Sequence, residues 1–350
     1  MAFATTTPKY YSSSDSGAPQ ITANSPASVI AVLSACLVGS GGTAYGSTAA
    51  AGWTIAFQDS VNNAIVFQTK GGNKRYLRLG NPATTGGNTN SDYSYFEVRG
   101  YNAMTDVNTG TNAFPTVAQQ ATWRWPYASQ AAMGTTTNIP WSIMVSDRFL
   151  YVQFQAGNNG SANAYGCSAI GYFGDITSYA ASDTMQTILS GFWNNSANIL
   201  GCPTWSNNTS YYSYVPFKSS DNLGDFNNYC YIYGSATQVY GPYPAQGRWD
   251  EGYSPSGGVA GWAGYQGMPN PSGTGQFFFQ KAFMLENSTV PGLRGELPGL
   301  LIPLHARPFP NQYQLPLGTD TVISWQNQPP YGNNIPSYNI YLNMTTWDTN

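Results

Sequence analysis

Few side chains in this sequence could do chemistry, and they are scattered. The one histidine, His305, stands in the run GELPGLLIPLHARPF (Gly295–Phe309), which also holds Pro298, Pro303 and Pro308. A lone imidazole can act as a base, a metal ligand or a packed ring. Leu300, Leu301, Ile302 and Leu304 suit a buried strand. Pro303 and Pro308 lack the N–H that a central ladder position needs, which points to a sheet edge or a bend. Arg307 disfavours a second cation on the same face. The expectation is a neutral ring hydrogen-bonded to backbone, structural rather than chemical.

The carboxylates are no more suggestive. Asp221 and Asp225 in SDNLGDFNN place oxygen ligands close together, but the EF-hand layout and its glutamate are missing, so a capped polar turn is expected. Asp250 and Glu251 are adjacent in RWDEGY. Neighbours on a strand point to opposite faces, whereas a hydrolytic acid and base must converge. Cys36, Cys167, Cys202 and Cys230 have neither CxxC nor CxH spacing and are expected as free thiols. GxSxG, Walker and HExxH motifs are missing. The expectation is therefore a protein without catalytic, metal or cofactor residues. The best contact candidates are aromatic: Trp205, Tyr211, Tyr212, Trp249, Tyr253, Trp262 and Tyr265. Rings of this kind suit protein interfaces, and with the surrounding amides they also suit sugar faces.

Any such residues must be held by elements, and the text for those is mostly β. Ser25-Pro26 is a good helix start, and Val29, Val32, Leu33, Cys36 and Leu37 follow one helix face until Gly39 to Gly42 stop it. GWTIAFQ and NAIVFQT flank a polar turn, followed by KGGNK, KRYLRLG and SDYSYFEVRGY. RFLYVQFQAG and GCSAIGYFGDI read as a central antiparallel pair. SDTMQTILSGFW, from Ser182, reads as a short helix. The fold class expected is mainly β: antiparallel sheets in a sandwich or barrel-like arrangement, one short N-terminal helix, and long Gly/Pro/aromatic-rich loops. The divisions are an arm at 1–24, a β-rich domain at 25–193, a loop-rich aromatic insertion at 194–275, and C-terminal strands at 276–350 packed on the same core. Strand text to the end of the chain implies a C-terminus paired into a sheet.

Composition narrows the class. The chain has 350 residues, enough for a large core, yet only 8% are charged against about 25% in an average soluble domain. Polarity comes instead from Asn, Ser, Thr, Gln and 26 tyrosines. Thirteen Lys and Arg, with Lys74-Arg75 the one adjacent pair, are too few and too dispersed for a nucleic-acid surface. SVIAVLSACLVG falls far short of the roughly 20 apolar residues of a membrane span. The opening MAFATTTPKYYSSSDSG has no basic-then-apolar export signal. Charge keeps monomers apart, so a surface poor in charge and rich in Tyr and Asn suits a chain that lives against other chains.

Three separated segments carry a resemblance. AAGWTIAFQDSVNNAIVFQTKGGNKRYLRL (Ala50–Leu79), VRGYNAMTDVNTGTNAFPT (Val98–Thr116) and LRGELPGLLIPLHARPFPN (Leu293–Asn311) resemble a family of uncharacterised virion structural proteins of tailed bacteriophages. DRFLYVQF and YFGDITSY are similar to that family's middle, and Ile199 to Thr274 matches it least. The resemblance implies a structural virion component without known catalysis, made in the host bacterial cytoplasm; it does not place the protein in the particle, and the placement expected here is the tail tip or baseplate or elsewhere on the tail. It implies other virion proteins and further copies of the chain as partners. A head decoration protein and a module binding host-surface glycan are the alternatives. The family supplies no mapped functional residue.

Overall fold

A computed structural model describes residues 4–22, 25–80, 93–114, 121–126, 138–155, 169–180, 183–184, 186–190, 230–233, 279–286, 293–303, 309–327 and 338–349. They form a mainly β protein with one short helix and several antiparallel sheets, none closed into a barrel. The outer sheet runs β11 (Ala121–Pro126), β8 (Tyr93–Tyr101), β7 (Tyr76–Gly80), β6 (Ala64–Gln68), β5 (Thr54–Asp59). The middle sheet runs β16 (Thr187–Ser190), β14 (Ala169–Asp175), β13 (Phe149–Phe154), β12 (Trp141–Val145), β2 (Lys9–Ser12). The large sheet runs β17 (Cys230–Tyr233), β18 (Phe279–Glu286), β19 (Leu293–Pro303), β22 (Tyr338–Asn343), β21 (Asp320–Asn327), β20 (Gln314–Leu317), with β15 (Thr177–Ser178) also on β19. Three small ribbons pair β1 (Ala4–Thr6) with β23 (Trp347–Thr349), β3 (Thr43–Tyr45) with β4 (Thr48–Ala49), and β9 (Ala103–Met104) with β10 (Gly110–Thr111).

The middle sheet is covered on both faces. Leu150, Val152 and Phe154 of β13 join Ile65, Phe67, Leu77 and Leu79 of the outer sheet in one core. Phe149 and Tyr151, the alternate residues, join Leu300, Ile323, Trp325 and Leu342 of the large sheet in a second. WSIMV and FLYVQF are accordingly buried at every position, because neither face meets water. The one long polar side chain in β13, Gln153, donates from Nε2 to Asn311 Oδ1 at 3.3 Å. The expected central pairing of RFLYVQF with GCSAIGYFGDI is the β13–β14 ladder.

The helix α1 (Pro26–Leu37) starts where Ser25 Oγ accepts a hydrogen bond from the Ser28 N–H. It buries Val29, Val32, Leu33, Cys36 and Leu37 in the first core and ends where the Val38 and Gly39 amides both donate to the Ser34 carbonyl. Gly39 takes φ +70°, and a Cβ there would collide with the Thr43 backbone, so only glycine fits. Burial raises the Cys36 thiol far above its ordinary value, an inert setting for a free thiol.

Three expectations are corrected. TILS (Thr187–Ser190), within the segment expected as a helix, is strand β16: it pairs with β14, which sends Ile188 to one core and Leu189 to the other. The proline-rich segment from Leu293 is no sheet edge. β19 lies inside the large sheet, paired with β18 on one side and with β15 and β22 on the other. Its Pro298 falls where the β18 register jumps between Lys281 and Phe283, so its missing N–H costs no ladder bond, and Pro303 closes the ladder opposite Phe279. Residues 4–22, expected as an arm, carry β1 and β2, and Tyr11 and Ile21 are buried. The chain's end is held, as expected: Trp347 to Thr349 pair with Thr6 to Ala4.

Candidate functional site

The densest group of ionisable side chains among the described residues sits where β15, β18, β19 and β23 meet. Lys281 Nζ lies 2.7 Å from Glu296 Oε1 and 2.7 Å from Asp348 Oδ2. Tyr179 Oη donates to Glu296 Oε2 at 3.3 Å, and Thr177 Oγ1 donates to the Asp348 carbonyl at 2.7 Å. β19 presents Glu296 opposite Phe283 of β18 and Thr177 of β15. Glu296 is buried, while half of the Lys281 side chain is exposed. Burial lifts the Glu296 carboxyl above the usual carboxylate range; Lys281 draws it down and Asp348 pushes it up again. Burial lowers the Lys281 ammonium, but Asp348 and Glu296 outweigh it and hold the group above its usual value. Tyr179 is pushed up to about 12, by burial first and by Glu296 second. Two carboxylates sharing one ammonium can hold a proton and can pin the C-terminal strand to the large sheet. The ammonium fills the space between them.

A second polar group fastens the outer sheet to the middle one. The KGGNK turn between β6 and β7 lies over Asp147 and Asp175, and Lys70 and Gly71 both donate backbone N–H to the Asp147 carbonyl at 3.0 Å. Asp175 receives the Asn73 N–H at 2.8 Å, the Thr187 hydroxyl, and Gln186 Nε2 at 3.5 Å. Gly72 has φ +62°, and a Cβ on it would run into the Asp175 carboxylate. Glycines therefore stand where the turn touches the two acids. Burial raises the Asp175 carboxyl, while the donors from Thr187, Asn73 and Gln186 and the charge of Arg148 oppose it. Arg75 spans the same joint, its Nη2 donating to the Thr184 carbonyl at 2.7 Å.

A third group lies on the outer face of the outer sheet. Arg78 and Arg99 stand opposite each other in the β7–β8 ladder. Arg78 donates to the Val107 carbonyl at 2.8 Å and to Asn108 at 2.7 Å, tying down the β9–β10 ribbon. Arg99 pairs with Glu97.

The residues picked out from sequence are not in these groups. Trp205, Tyr211, Tyr212, Trp249, Tyr253, Trp262 and Tyr265 lie outside the described residues. So do Asp221, Asp225, Asp250, Glu251, His305, Cys167 and Cys202; Cys230 opens strand β17. No group of three or more His, Cys, Asp or Glu side chains converges among the described residues. A usable signal for the polar groups did exist. In a chain so poor in charge, Lys281 in FQKAF, Glu296 in RGELP and Asp348 in TWDT each interrupt strand text. A charge in such a place has to be paired. Neither a protein-family model nor a curated protein matches this chain.

Proposed function

We propose that this chain is a structural subunit of a tailed-bacteriophage particle, of the tail tip, baseplate or tail, and not an enzyme. The observation that carries the reading is the use the fold makes of its scarce charges. Lys9 is bound to the Ala50 carbonyl, Arg75 and Asp175 join two sheets, Arg78 and Arg99 hold the outer face, and Lys281 binds two carboxylates. Charge of this kind stitches layers together and does little to keep copies apart. A rigid, doubly packed β body with little free charge suits permanent contact with neighbours. The resemblance of Ala50–Leu79, Val98–Thr116 and Leu293–Asn311 to virion proteins supplies the particle. Head decoration and binding of host-surface glycan through Trp205 to Tyr265 are the competing placements.

Quantitative mass spectrometry of gradient-purified phage particles tests the reading. The expected result is the chain in a fixed copy number per particle. A chain confined to the lysate supernatant overturns it. A glycan array on the recombinant chain, with binding lost in Trp249→Ala or Trp262→Ala, would move the assignment to the glycan alternative.

A further inference from the structure

We infer that β5, an edge of the outer sheet that no other described strand pairs with on its outer side, is a self-pairing edge: two copies of the chain join their β5 strands antiparallel and make one continuous sheet. The inference rests on the assembly reading above and names the partner.

An unpaired strand edge is a standing invitation to another strand, and natural proteins usually block it with proline or a free charge. Some other described edges carry a basic residue or a proline: β2 has Lys9, held by the Ala50 carbonyl, β11 has Arg124 and Pro126, and β20 has Pro316, whereas the four-residue edges β16 (TILS) and β17 (CYIY) have neither and are shorter than β5. β5 reads TIAFQD. It has no proline and no basic residue. Its one charge, Asp59, is turned into the following turn, where it accepts from the Val61 and Asn62 amides at 3.0 and 3.1 Å. The same hairpin holds two of the four large hydrophobic side chains that stand exposed among the described residues, Ile55 at 38% and Val61 at 87%.

Self-pairing needs a register in which faces and charges agree. Ile55 and Gln58 stand opposite Phe67 and Ile65, which point into the first core, so they belong to the inner face. Phe57 stands opposite Val66, which points outward. The β-bulge between Ile55 and Phe57 places Ala56 on that outer face too, packed with Phe57 in the same outer cluster. Thr54 and Asp59, opposite Gln68 and Ala64, are outer as well. Pairing Ile55 with the partner's Gln58, Ala56 with its Phe57 and Thr54 with its Asp59 keeps every pair on one face. Shifting the register by one residue either way sets Ile55 against an outward residue. A bulge ordinarily protects an edge; here it selects one register that spans the whole strand. In that register each Asp59 meets a threonine hydroxyl and not the other Asp59, as parallel pairing would require.

The test uses the full chain. Cysteines are placed at Ile55→Cys and Gln58→Cys, separately and together, and the proteins are oxidised mildly at micromolar concentration. Both sites are exposed, and circular dichroism checks that the fold persists. Residues three apart in a strand are too far from each other to bridge within one chain. The expected result is a reducible covalent dimer from the double variant and none above wild type from either single variant. Failure of the double variant to dimerise overturns the inference, as does a dimer of equal yield from Ile55→Cys alone, which would show a different register. If particles contain the chain and the double variant stays monomeric, the edge is wrong and the virion reading stands. If it dimerises and the particles lack the chain, the reverse holds.

Discussion

The middle and outer sheets have the same number of strands, the same antiparallel pairing and a shared core, yet their sequences look different. β13 is apolar at five of its six positions and buried at all six, while β5 exposes three of its six residues and half-buries the rest. The difference lies in how many faces are covered. The middle sheet has an outer sheet on one side and the large sheet on the other, so it has no use for alternation. The outer sheet has one full core. Among the described residues its other face carries the small cluster of Val66, Tyr101 and Met104, and there the arginines are tied down by hydrogen bonds. Pattern along a strand therefore reports the layers around it more than the strand itself.

Breaking the middle sheet has the largest expected effect. Tyr151→Ala removes a ring fully buried in the second core and the hydrogen bond from its hydroxyl to the Pro298 carbonyl at 2.9 Å. Chemical denaturation is expected to show a loss of about 3–5 kcal/mol. A loss below about 1 kcal/mol would mean that the middle sheet is not packed on both faces.

Gly171→Ala probes the join between the two sheets. A Cβ at Gly171 of β14 would push into the buried indole of Trp123, a residue of β11. Overpacking of this kind is expected to cost about 1–3 kcal/mol.

The Asp175 joint gives the comparison a pH axis. Its carboxyl is raised in the folded protein by burial, so the folded state keeps the proton to higher pH than the unfolded chain does. Its contribution to stability is complete below the ordinary carboxylate value of about 3.9. The contribution is lost as pH rises through the higher folded value. Asp175→Asn cannot titrate and is expected to lack this decline. Melting temperatures of both proteins across the acid range check it; parallel curves would show that Asp175 does not carry the slope.

The smallest effect is expected at the edge of the outer sheet. Gln58→Ser changes an exposed side chain without a partner inside the chain, and the folding stability of the monomer should move by less than about 0.5 kcal/mol. Concentration-dependent melting that disappears in this variant would place Gln58 in a subunit contact.

Much of the fold was legible because local patterns obey local physics. Ser25-Pro26 and the stripe from Val29 to Leu37 specify a helix start and a face wherever they sit. The dense strands Phe149–Phe154 and Ala169–Asp175 announce a central pair by hydrophobicity alone. The partners within the polar groups were not legible, even where an isolated charge in strand text signalled that a partner was needed, since nothing in the sequence brings Lys281 to Asp348, 67 residues away, or Asn73 to Asp175, 102 residues away. Thr187 to Ser190 could be taken for helix because a short apolar run has no decisive period, and only pairing with β14 made it a strand. Pro298 and Pro303 argued for an edge because proline breaks a regular ladder, and the register shift opposite Lys281 removed that objection. The amino-acid sequence by itself determined the β class, the helix, most strands and the shortage of charge. Tertiary structure alone decided which strand lies inside, which acids share an ammonium and which sheet edge is left open. Those outcomes depend on the order in which strands meet across long loops, and local propensity carries no information about that order.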